Sequence, residues 1–139
     1  MALETVRYTY RLRPGKQAEE ALLAEWNRCR FLWNEAVHLH RCGQKPTLAK
    51  LGKLLTAARR SNSWLRSGSQ DAQQQVLRTY SQALSHSFSV KGRGRPTFKP
   101  RKKTLPSLQY SRNGFSLNDN RLVLPKGVTV PVVWSRELP

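Results

Sequence analysis

A chain of 139 residues, 38% hydrophobic and 24% charged with 8 Gly and 8 Pro, has room for one ordinary domain and is neither collagen-like, a disulfide scaffold nor fully disordered. Twenty-five Lys and Arg against eight Asp and Glu leave a net charge of +17, and sixteen of the basic residues lie with a single acid, Asp71, between Ala36 and Asn118. Such a density self-repels unless an anionic partner neutralises it, which points to nucleic acid.

Val6, Tyr8, Tyr10 and Leu12 alternate with Arg7, Thr9, Arg11 and Arg13, a period of two that predicts a strand with one buried and one basic face. Pro14-Gly15 ends it. From Lys16 to Arg41, Leu22, Trp26, Cys29, Trp33, Ala36 and His40 recur at steps of three and four, with Leu23, Leu32, Val37 and Leu39 widening the stripe. This is a long amphipathic helix, stopped by Gly43. Thr47 caps a second helix whose Leu48, Leu51, Leu54, Leu55 and Ala58 face inward while Lys50, Lys53, Arg59 and Arg60 face outward. Ser61-Asn62-Ser63 breaks it, Trp64 and Leu65 plug back into the core, and Ser69 caps a third helix with the stripe Ala72, Val76, Tyr80, Ala83, Leu84 and Phe88.

Val90 to Lys103 carries seven basic residues and no periodicity, and reads as a phosphate-facing linker. Short strands follow at Leu108 to Ser111, Phe115 to Leu117, Leu122 to Leu124 and Val128 to Trp134, with Asn113-Gly114 as a hairpin turn and Pro131 placing the last strand at an edge or on a bulge. A lone N-terminal strand must find partners, and the others are C-terminal. The fold class is therefore α+β, a small β-barrel or sheet interrupted by three helices.

The same residues offer little catalytic chemistry. Carboxylates are scattered rather than paired, so no metal-dependent activity and no cofactor is expected. His38 and Cys42, at i and i+4, supply two ligands where zinc needs three or four. Gly92-x-Gly94 lacks the strand-to-helix context of a phosphate loop, and His86 lacks a nucleophile to activate. Arg93-Gly94-Arg95-Pro96 resembles the core of an AT-hook, a short match that a basic chain also produces by chance. Trp26, Trp33, Tyr80 and Phe88 have the spacing of core residues rather than of base-stacking platforms. The longest uncharged stretch, Thr79 to Val90, is 12 residues and largely polar, too short to span a bilayer. Two cysteines suit a reducing compartment, so a cytoplasmic location is expected.

Several strings in this order resemble the N-terminal region of TnpB, the OrfB-type RNA-guided DNA endonuclease family of bacterial insertion sequences, which is related to compact type V CRISPR effectors. They are Tyr10-x-Leu12-x-Pro14, Cys29-Arg30-Phe31-Leu32-Trp33-Asn34, Trp64-Leu65, Ser69-x-x-Ala72-x-Gln74-x-x-Leu77, Lys91-Gly92-x-Gly94-x-Pro96-x-Phe98-Lys99 and Arg121-Leu122-x-Leu124-Pro125. The resemblance covers nearly the whole chain. It implies an oligonucleotide-binding-like wedge barrel from residues 1–14 and 97–139, a helix-turn-helix-like recognition lobe from 15–90 and a basic linker from 91–96. It implies guide RNA and target-adjacent DNA as partners at the bacterial nucleoid, no membrane, and a downstream nuclease domain or partner chain that holds the catalytic residues. Asp71 stands where the family usually has an apolar or aromatic residue, and Gln70 where a lysine can occur.

The residues expected to contact nucleic acid are Lys50, Lys53, Gln70, Gln74, Arg78, Lys91, Arg93, Arg95, Lys99, Arg101, Lys102 and Lys103. Glutamine pairs bidentately with adenine in a major groove, so Gln70 and Gln74 are read as base-reading and the cations as phosphate-binding. A free-standing helix-turn-helix regulator and a structural RNA-binding protein of ribosomal type are the other two readings.

Overall fold

The computed structural model describes residues 9–100, 104–111, 114–118 and 120–133. Four helices, α1 (Lys16–Arg41), α2 (Leu48–Ser61), α3 (Ser63–Arg66) and α4 (Gln70–Ser89), stand between a short strand β1 (Arg11–Leu12) and strands β2 (Ser116–Asn118), β3 (Arg121–Leu124) and β4 (Val128–Val133). Local chemistry explains the helix ends. The Thr47 and Ser69 hydroxyls accept hydrogen bonds from the Lys50 and Ala72 amides, and Asn62 caps α3 by accepting from the Trp64 amide. Gly43, with φ of 86°, supplies the left-handed residue that closes α1.

The main core is the meeting of α1, α2, α3 and α4. Leu32, Trp33, Ala36 and Val37 of α1 pack on Leu51 and Leu55 of α2, Leu65 of α3, and Leu77, Tyr80 and Leu84 of α4. The Trp33 and Tyr80 rings meet edge to face at 5.2 Å, and the Tyr80 hydroxyl donates to the Ala36 carbonyl at 3.3 Å. Glu25 touches Ser69 while Trp33 touches Tyr80, so α1 and α4 run side by side in the same direction. Arg59, near the end of α2, reaches Gln73, near the start of α4.

Burial corrects several sequence readings. Phe88 is 64% exposed at the end of α4, and the inward face of that helix carries Gln73 and Leu77, with Val76 and Ala83 only half-buried. Leu23 and Leu48 are exposed. Leu65 is fully buried, whereas Trp64 lies at the surface with its ring edge-on to Phe31. Arg59, expected outside, turns inward because the Leu65 carbonyl and the Gln73 side chain offer it acceptors at 2.9 and 2.8 Å. The helix count is four rather than three, since Ser63–Arg66 forms its own turn.

The strands form an open antiparallel sheet in the order β1-β4-β3-β2, so the N-terminal strand does pair with a C-terminal one, Arg11 with Val133 and Leu12 with Val132. Val6 and Tyr8 of the predicted strand lie outside the described residues, and Leu12 is 39% exposed. β4 is an inner strand, contrary to the edge or bulge expected from Pro131. The reason is directional. The Pro131 carbonyl accepts from the Arg13 amide, so its missing N–H also faces β1, beyond the last paired residue of β1, while the next amide, Val132, donates toward β3 at Asn120.

Residues Leu108 to Ser111 form no strand. Leu108 and Tyr110 pack against a second apolar cluster of Trp26, Cys29 and Ala72, and this contact with α1 and α4 produces their alternation without a ladder. The strap from Thr97 onward is anchored by side chains: Trp33 Nε1 donates to the Thr97 carbonyl at 2.8 Å, Asn34 Oδ1 accepts from the Lys99 amide at 2.8 Å, and Asp71 accepts from both the amide and the hydroxyl of Ser111.

Candidate nucleic-acid interface

A buried polar network fixes the start of α4. Gln73 is fully buried, its Nε2 donating to the Leu65 carbonyl at 2.9 Å and its Oε1 accepting from Arg59 at 2.8 Å. Glu25 accepts from the Ser69 amide at the helix cap and from Arg28 at 3.1 Å. Arg28 in turn donates to the Trp64 carbonyl at 2.8 Å and to the Ser67 hydroxyl at 3.1 Å. Gln73 is locked inward, whereas Gln70 and Gln74, which flank it on either side around the helix, are exposed, as is Arg78 one turn beyond Gln74.

That face meets α2 across an open groove of about 580 Å³ lined by Lys53, Thr56, Arg60, Gln70 and Gln74, together with Ala49, Gly52, Leu55 and Ala57. Two amides capable of two-point hydrogen bonding and two cations thus share one concavity. Lys50 and Arg78 are exposed on the same two helices but do not line it. Arg60 joins the site although the sequence reading treated it only as an outward residue. Its spacing from Lys53, seven residues on one helix, was the available signal, and the packing of α2 on α4 completes the groove.

The linker cations take a second location. Lys91, Arg93 and Arg95 are exposed. Arg93 lies 3.4 Å from His86 Nδ1, and the Arg95 guanidinium sits 5.5 Å from the Phe88 ring. Lys99 is half-buried, its ammonium 4.2 Å from the Trp33 ring and its backbone held by Asn34 and Arg30. Arg101, Lys102 and Lys103 lie outside the described residues. The structure therefore gathers Lys53, Gln70 and Gln74 in one groove and sets Lys91, Arg93 and Arg95 elsewhere, beyond the other end of α4.

Electrostatics within the helical body differ from the surface. Burial raises the Glu25 carboxyl above its ordinary value despite the Ser69, Arg28 and Gln73 hydrogen bonds that oppose the shift. Burial likewise pushes the Cys29 thiol and the Tyr110 phenol up, so both stay protonated near neutral pH. Cys42 is exposed, 3.6 Å from His38 Nε2. Among the described residues no three His, Cys, Asp or Glu side chains are grouped so as to hold a metal ion, and no helix is long and apolar enough to cross a membrane. No protein-family model matches the chain, and no curated protein matches it.

Proposed function

We propose that this chain is the nucleic-acid-binding part of a TnpB-like RNA-guided DNA endonuclease, holding guide RNA and target-adjacent DNA without catalytic residues of its own. What carries the reading is the groove between α2 and α4, where Gln70 and Gln74 stand opposite Lys53 and Arg60 in a chain of net charge +17. Side-chain amides supply base discrimination and cations supply phosphate attraction, the division of labour general to such interfaces. In this reading the open sheet belongs to an oligonucleotide-binding-like wedge barrel, α1–α4 form the recognition lobe, and base pairing by the guide selects the target. The nuclease acts from a downstream domain or a partner chain.

The decisive experiment is to purify the chain from cells and sequence the RNA that accompanies it. One defined RNA species, and duplex binding that depends on it, is the expected result. Specific duplex binding without RNA would assign the chain to the helix-turn-helix regulators, and a ribosomal RNA fragment to the structural RNA-binding proteins. In a selection over randomised flanking sequence, Gln74→Ala should relax preference at one base pair, worth roughly 1–3 kcal/mol, and leave the salt dependence alone. An unchanged motif for the Gln70→Ala, Gln74→Ala pair would remove base reading from this groove.

A further inference from the structure

The C-terminal ends of α1 and α4 lie at the same end of the helical body, because the two helices run in the same direction. Here the surface is unusual for a structure whose other large aromatic residues on α1 and α4 are mostly covered. Phe88 is 64% exposed, Val90 43% and Phe98 40%, all within or beside the segment that carries Lys91, Arg93 and Arg95. Each of the two rings has a guanidinium against it: Arg41 lies 4.3 Å from the Phe98 centroid and Arg95 5.5 Å from that of Phe88. Arg95 and Phe98 are three residues apart, no more than about 11 Å of backbone, so the two ring and guanidinium pairs form one patch.

Two helix C-termini bring partial negative charge to this end, which disfavours an anion. Arg41, Lys91, Arg93 and Arg95 exceed it, and among the described residues none of them is paired with a carboxylate. A protein surface that merely needed solubility would not leave two phenylalanines open among four cations. The combination is what an unpaired strand requires: flat apolar faces for bases, with positive charge beside them for the phosphates.

We infer that Phe88 and Phe98, flanked by Arg95 and Arg41, form a stacking site for an unpaired stretch of nucleic acid, separate from the α2–α4 groove. The inference rests on the nucleic-acid reading above and adds to it the strandedness of the ligand at this end. A duplex offers no base faces to these rings, whereas an unpaired strand of either sugar does. The Arg93-Gly94-Arg95-Pro96 string would then lie along a single strand and not in a duplex minor groove.

The test compares four probes of equal length on the full chain by fluorescence anisotropy: oligouridine RNA, oligothymidine DNA, an abasic strand with the same phosphates, and an A·T duplex. The base-bearing strands should bind roughly 5- to 100-fold more tightly than the abasic strand, from one or two stacked bases. Phe88→Leu combined with Phe98→Leu keeps apolar volume and helix propensity, and should abolish that ratio while leaving abasic affinity unchanged. The RNA and DNA arms tell which nucleic acid is taken. Equal affinity for abasic and base-bearing strands, a ratio retained by the double variant, or tighter binding of the duplex than of either strand would each overturn the stacking site while leaving nucleic-acid binding intact. Binding of none of the four probes would overturn the functional reading and the stacking site together.

Discussion

Burial raises the Glu25 carboxyl while the groups around it hold it down, and the balance has a sign that can be measured. In the unfolded chain this carboxyl titrates near 4.5, and in the fold it titrates higher, so the folded state retains a proton that the unfolded state has lost. Its stabilising contribution is complete below 4.5 and is lost as pH rises through the folded value. Urea unfolding at several pH values should show Glu25→Gln losing less stability than wild type over the window that opens at 4.5, and identical profiles would refute the assignment. Glu25→Ala is a different matter. It leaves the Ser69 amide without its acceptor and Arg28 without its carboxylate, and should cost about 2–5 kcal/mol. Gly68 lies against the same network. A Cβ there would collide with Glu25 Oε2 and stand 2.9 Å from Gln73 Nε2, whereas one on Gly52 would meet nothing within 4 Å. Gly68→Ala should therefore lower stability by about 1–3 kcal/mol, and Gly52→Ala should raise it by about 0.4–1 kcal/mol, both read from denaturant midpoints.

Asp71 shows how a helix start can serve another element. By accepting two hydrogen bonds from Ser111 it ties the strap 104–111 to α4, and a Cβ on Gly114 would collide with its carboxylate. Removing that acceptor with Asp71→Ala should cost about 1.5–3 kcal/mol. Hydrogen exchange should quicken at Ser111 while α1 and α4 remain protected, and a uniform loss across all helices would argue against a local latch. Helix boundaries were legible because their signals are local: Thr47 and Ser69 as caps, Gly43 as the stop, and the 26-residue apolar period of α1. The inward turn of Arg59 was not, since its acceptors belong to α3 and α4 and appear only when those elements pack. Leu108 and Tyr110 imitated a strand because alternation reports which side is covered, not whether a neighbouring backbone is present. In the groove, Gln70 and Gln74 followed from the Ser69 cap and the helical repeat. That Arg60 faces them depended on how α2 packs on α4, a tertiary fact without a local trace.

At the scale of the whole chain, twenty-five basic side chains meet eight acids, and among the described residues the single ion pair, Glu25–Arg28, joins neighbours on one helix. Most of the positive charge is therefore unspent within the fold and available to phosphates. If about 6 to 10 phosphates are engaged, log K against log salt should fall with a slope of roughly −4 to −9. Replacing Lys91, Arg93 and Arg95 by Gln should flatten that slope by about 2–3, and an unchanged slope would show that the linker does not lie at the phosphates. The 20 residues of α4 span about 30 Å, so a nucleic acid bound as proposed would meet the groove at the start of α4 and the linker at its end with different parts. The pairing of β1 with β4 bears on how such a molecule is made. Arg11 leaves the ribosome 122 positions before Val133, the residue it pairs with. At roughly 5–20 residues per second that is an interval of about 6 to 24 s, far longer than a helix needs to form. The helical body can assemble during synthesis while the first strand waits for its neighbour. Translation interrupted before Val128 would release a chain whose helices can pack but whose β1 and β3 have no β4 to join them, leaving strand edges open to other copies.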